Sequence, residues 1–177
     1  MGAVWRLHFS VIGSADGLLE NRFLNLMAFS EGYHRAIRDH LPLTRNQASA
    51  ARSAIKEALK AVDRESRDLF LTSLAYANSL SQRKRIVELA TDTKLLLGKH
   101  WDFEPNDECR AMVDTRNWMT HWGGRTKYVR DDPESLVWFC RHLELIAYVA
   151  ILRDLKLTED EILDAVGNGW VLENLLS

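Results

Sequence analysis

Between positions 114 and 124 the chain reads Asp-Thr-Arg-Asn-Trp-Met-Thr-His-Trp-Gly-Gly, and three of these side chains could do chemistry together. Arg116 is a permanent cation with a planar fork of donors, Asn117 is an amide, and His121 carries an imidazole, the side-chain type that exchanges protons near neutrality. A proton-transfer group beside a fixed cation suits cleavage of RNA without a metal: the 2′-hydroxyl attacks the adjacent phosphate, and charge grows on the phosphoryl oxygens. Asn117 cannot exchange protons usefully. One helical turn from His121, it is placed to orient the imidazole or to donate to a phosphate oxygen. The catalytic candidates are therefore Arg116, Asn117 and His121.

Other chemistries find less support. The six histidines, at 8, 34, 40, 100, 121 and 142, form no His-x3-His pair, and the single Glu-x-x-His spacing, Glu31 to His34, has no second ligand pair to join it, so neither a metal nor another cofactor is expected. Gly123-Gly124 is neither a Walker loop nor a dinucleotide fingerprint. Cys109 and Cys140 sit on helical faces rather than in an electropositive turn, which suits buried thiols in a reducing cytoplasm better than a nucleophile or a disulfide. Two plain readings compete with catalysis. Arg116 could pair with Asp114 or Asp107 at the surface, and His121 could be a helix-end cation favoured by the macrodipole.

The motif needs a helix to hold it. Cys109, Met112 and Val113 recur at helical spacing, and the same stripe continues into Arg116, Asn117 and Thr120, so polar groups stand where the core face should run on. Such a break is costly unless the groups are paired or face a cleft. At about 100° per residue, Asn117 and His121 lie about 40° apart but Arg116 and His121 about 140° apart. One straight helix should not aim both at one atom, which points to a cleft shared by two copies. Trp118 and Trp122 are expected to be core or dimer-interface anchors.

The run from Arg116 to His121 resembles the Arg-x(4 to 6)-His motif of the HEPN superfamily, in the form with Asn directly after Arg. Glu31-Gly32-Tyr33-His34-Arg35 and the stretch from Leu74 to Leu89, with Ser81-Gln82-Arg83-Lys84-Arg85-Ile86, extend the likeness. Their order and spacing are similar to the C-terminal HEPN domain of ApeA-like bacterial defence proteins. The resemblance implies a metal-independent endoribonuclease that brings two protomers' motifs together and leaves a 2′,3′-cyclic phosphate. It also implies a toxin that halts translation in abortive infection, with an N-terminal sensor domain outside this chain. Two alternatives stand beside it: an inactive HEPN module for dimerisation or RNA binding, and a plain helical interaction domain. Roles for Glu31 and His34 stay open, with Tyr33 read as core and His34 as a helix-face residue.

With 177 residues, 46% hydrophobic and 27% charged, one globular domain is expected. Residues 1–17 form an N-terminal segment, weakly strand-like from Val4 to Phe9, and residues 18–177 a HEPN-like helical domain. No stretch of about 18 apolar residues or signal peptide is present, so no membrane partner is expected. The net charge of -2 gives no global pull toward nucleic acid, so RNA must be held by local basic residues. The candidates are Arg83 and Lys84, with Arg85 beside them, and Arg125 and Lys127, with Arg130 beyond.

Helical periodicity predicts an all-α antiparallel bundle with extra flanking helices. The first helix runs from about Leu18 to His40, with Leu19, Phe23, Leu26, Met27, Ser30 and Tyr33 inward. Thr44 to Gln47 is a capping box opening a second, carried through Ala51, Ile55, Ala58, Leu59 and Val62. A third covers about Ser66 to Asn78, and a fourth runs from Ser81 to about Leu97. The motif helix starts near Asn106, and Asp132-Pro133-Glu134 opens the most regular helix, with Leu136, Cys140, Leu143, Ala147 and Ala150 on one face. Thr158 to Glu161 is a last capping box, with Gly167 and Gly169 closing its helix.

Overall fold

A computed structural model describes residues 18–38, 41–74, 77–121 and 124–167. Among them run seven α-helices and no strand: α1 Leu19–Ile37, α2 Arg45–Ala58, α3 Arg64–Ser73, α4 Gln82–Leu97, α5 Pro105–His121, α6 Pro133–Asp154 and α7 Glu159–Gly167. The described residues are all-α, as the periodicity predicts. Val4 to Phe9, Trp122, Gly123 and Gly169 lie outside the described residues. Two compact units are present, one built from the chain up to Arg38 and from Gln82 onward, the other lying between Asp39 and Ser81.

In the larger unit α1 packs most extensively on α6 and α4 on α5, while α7 flanks α6 and α4. The inward stripes meet in one core: Phe23, Leu26, Met27 and Tyr33 from α1, Ile86, Leu89 and Ala90 from α4, and Leu136, Cys140, Leu143 and Ala147 from α6 are all buried. Helix α6 also buries Phe139, Leu145, Ile146 and Val149, so it is apolar around much of its circumference. Its 22 residues would suffice by length and composition to cross a membrane. Here α1, α4 and α7 cover it, and a helix enclosed by neighbours is expected to be apolar on several faces. Its start is fixed by Asp132, whose carboxylate accepts the Ser135 N–H at 2.9 Å, with Pro133 preset for the first turn.

Helix α4 ends where Gly98 takes a left-handed conformation, φ 58°, which a side chain would disfavour. The chain then doubles back: in the first turn of α4, the Arg83 guanidinium donates to the Asn106 carbonyl, in the first turn of α5, at 3.1 Å. The returning segment is anchored by Trp101 and Phe103, which stack with ring centroids 4.4 Å apart, and Phe103 stacks in turn on Trp138 and His142 of α6. The Lys94 ammonium donates to the Trp101 carbonyl and ties the segment to α4.

The smaller unit is built differently. Thr44 and Gln47 cap α2 reciprocally, the Gln47 N–H donating to the Thr44 hydroxyl at 3.3 Å and the Thr44 N–H to the Gln47 amide oxygen at 3.0 Å. Asp63 caps α3 by accepting the Ser66 N–H at 2.9 Å. Asn78 closes the unit by bonding both backbone groups of Leu43. Neither α2 nor α3 has a buried residue. The stripe expected to carry α2 inward therefore does not reach a core: Ile55 is 37% exposed. Alanine is the commonest residue of α2, giving the segment helix propensity with little apolar area to bury.

Candidate functional site

Helix α5 begins with Pro105 and carries Asp107 and Glu108 in its first turn, a composition that complements the positive end of the helix dipole. Cys109, Ala111, Met112, Val113 and Thr115 are buried. Beyond them the stripe emerges from the core as the sequence suggests, with Arg116 half-buried and Asn117, Thr120 and His121 exposed.

The three candidate side chains meet within one chain. One guanidinium nitrogen of Arg116, Nη1, donates to Asn117 Oδ1 at 3.1 Å and lies 3.2 Å from His121 Nε2. This corrects the angular argument: directions about 140° apart at the helix axis do not separate the groups, because an arginine side chain is long enough to fold along the helix surface. It also changes the part played by Asn117. Its amide oxygen holds the guanidinium rather than the imidazole, leaving its NH2 group to donate elsewhere. Neither expected acidic rival takes Arg116, and Asp114 accepts instead from the Thr126 hydroxyl at 2.7 Å. Among the described residues no carboxylate forms an ion pair with Arg116.

The polar loop after the motif is stitched back along α5. The buried Thr115 hydroxyl accepts the Arg130 N–H at 2.9 Å, the Arg130 guanidinium reaches Glu108 at 2.9 Å, and the Arg110 guanidinium lies 3.7 Å over the Tyr128 ring. Asp131 joins two more groups, accepting from Trp118 Nε1 at 3.2 Å and from Arg125 at 2.7 Å. Trp118 is thus half-buried under a loop of its own chain. The charges of Arg125 and Arg130 are matched by carboxylates, while Lys127 is exposed, its ammonium 5.1 Å from the Tyr128 ring. Nothing in the sequence marks Asp131, because loop geometry has no period to read.

The other basic group sits elsewhere. Arg83 binds the Asn106 carbonyl, roughly 15 Å along the α5 axis from Arg116, and Lys84 is exposed nearby on α4. Arg85 is buried and donates to His34 Nδ1 at 3.2 Å. His34, which reads as a helix-face residue, is instead fully buried, and its Nε2–H donates to Glu88 at 2.7 Å. Burial holds its proton affinity below the ordinary imidazole value. Glu31 pairs with Arg35 at 2.7 Å, one turn away on the surface of α1. The two thiols, Cys109 and Cys140, are pushed up to about 12 by burial, so neither offers a ready thiolate. Among the described residues no three His, Cys, Asp or Glu side chains gather as metal ligands would.

No curated protein and no solved structure matches the chain. One family does: Apea-like HEPN, over residues 24–161, a span that runs from within α1 to the start of α7 and contains the whole Arg116 to His121 motif. With that span covering most of its length, the chain belongs to the Apea-like HEPN family.

Proposed function

We propose that this protein is a metal-independent endoribonuclease, acting as a toxin in bacterial antiphage defence. The observation that carries the reading is the exposed cluster on α5: a guanidinium without a carboxylate partner among the described residues, bonded to an amide and an imidazole. Membership of a family whose domains are commonly ribonucleases supports it. Arg116 neutralises charge on the phosphoryl oxygens, His121 moves the proton, and Asn117 positions Arg116. Each chain contributes one imidazole to this cluster, whereas cleavage needs a base at the 2′-oxygen and an acid at the departing 5′-oxygen. A homodimer with its clusters facing across a two-fold axis supplies both, and Lys127, Lys84 and Arg83 are the basic residues offered to the RNA backbone.

The test is incubation of the purified protein with total RNA in excess EDTA. Cleavage should persist, leave cyclic or 3′-phosphate ends, and spare DNA, which lacks the nucleophilic 2′-hydroxyl. Magnesium-dependent cleavage with 5′-phosphate ends would sink the mechanism. Intact RNA would favour the inactive dimerisation or RNA-binding module.

A further inference from the structure

We infer that the hydrogen bond between Arg116 and His121 is a latch, opened when a phosphodiester takes the guanidinium. The inference rests on the ribonuclease reading of the same cluster and says how the resting site is held. A guanidinium has no lone pair to offer, so in the contact at 3.2 Å the Arg116 N–H must donate and His121 Nε2 must accept. His121 is therefore neutral at rest, with its proton on Nδ1. An imidazolium could not form this bond, since both of its nitrogens are donors. In this state Nε2 has no free lone pair with which to take the proton of a 2′-hydroxyl.

Counting donors shows what would open it. Nη1 bears two hydrogens, and the bonds to Asn117 Oδ1 and His121 Nε2 use both. The Nε–Nη2 edge is the opposite side of the fork, and it bonds no other described residue. Two non-bridging oxygens of a phosphodiester enter from that open side and take the Nη1–Nη2 end of the fork bidentately, competing with the imidazole for an Nη1 hydrogen. Nearby charges do not compete: Arg125 is paired with Asp131, Arg130 with Glu108, and Asp114 is bonded to Thr126. A seated phosphate draws Nη1 away from the imidazole and sets a negative charge beside it. Nε2 is then free to take the proton of an RNA 2′-hydroxyl. The base is thus withheld until the substrate's phosphate is in place.

The experiment is nitrogen-15 NMR of the histidine side chains in the full chain, free and with a thymidine dinucleotide whose phosphodiester cannot be cleaved. Free protein should show His121 as the Nδ1–H tautomer, and saturating dinucleotide should shift it away from that tautomer. Arg116→Ala should return it to the Nε2–H tautomer that an unconstrained imidazole prefers. An Nε2–H tautomer in the free wild type overturns the latch, and so does an Nδ1–H signal that survives millimolar dinucleotide. An equal response to inorganic phosphate overturns the diester assignment. RNA cleavage separates the two ideas: cleavage without the Nδ1–H tautomer removes the latch alone, while the tautomer and its response without cleavage remove the ribonuclease alone.

Discussion

Two imidazoles in this chain each accept a hydrogen bond from an arginine at 3.2 Å, and their surroundings set them apart. His34 is sealed in the core: Arg85 occupies Nδ1, Glu88 occupies Nε2, and the carboxylate answers the charge of the guanidinium. His121 lies at the exposed end of α5 with Arg116 on Nε2, and the neighbouring group is the neutral amide of Asn117. One arrangement supplies its own anion and is finished. The other lacks one among the described residues, and on the proposed reading an external anion is the missing member. On that reading the same pair of side chains is a brace where a carboxylate is built in and a receptor where it is left out.

The widest separation between the two should come from alanine. His121→Ala removes the proposed proton-transfer group, a loss typically worth about 10²- to 10⁴-fold in rate, while the melting temperature should barely move because the side chain is exposed. His34→Ala should do the reverse, costing about 2–5 kcal/mol of stability through a cavity and unpaired partners while the folded fraction still cleaves RNA. Parallel melting curves and cleavage rates check both. Equal loss of activity and stability in the two variants would erase the distinction.

Arg116→Lys sharpens the receptor half. Lysine keeps the charge but loses the planar fork, so cleavage should recover only a small part of what Arg116→Ala removes, and Asn117→Ala should weaken it less than either. Full rescue by lysine in a cleavage assay would show that a point charge is enough.

Acid should separate the two sites more gently. Burial lowers the proton affinity of His34 and of His142, whose Nδ1–H donates to the Trp138 carbonyl at 2.8 Å. Below the ordinary imidazole value of about 6.5 the unfolded chain binds protons that the native state refuses. Stability is therefore retained above that value and lost as pH falls from it toward the lower folded-state values. Denaturant midpoints between pH 7.5 and 5.5 should decline, and the decline should shrink in His34→Ala.

How much of this the sequence discloses depends on the distance over which each feature is set. Helices α1, α4, α5 and α6 and the caps at Thr44, Asp132 and Thr158 are written within a few neighbouring residues, and all are present where the pattern places them. The motif was legible as three residues on one helix. Its geometry was not, because an angle at the helix axis ignores the reach of a flexible side chain. Arg85 shows a different limit: in the sequence it extends a basic run with Arg83 and Lys84, yet it is the buried one. Only its partner, His34, on a helix far back in the chain, distinguishes it, and a single sequence carries no mark of that pairing. Arg125 and Asp131 are close in sequence, but the loop joining them follows no period.

Helices α2 and α3 bury no side chain, and so they are held chiefly by their ends. A segment of this kind opens by local unfolding at small free energy, so its amides should exchange with solvent long before those of Phe23, Ile86 or Leu143. Its persistence is set by Thr44, Asp63 and the Asn78 clasp more than by any apolar contact. Thr44→Ala, typically worth about 1 kcal/mol, is a minor loss to a domain but a large share of what holds α2 closed. Exchange and protease nicking between Arg45 and Ser73 should therefore accelerate several-fold in that variant while the main unfolding transition stays in place.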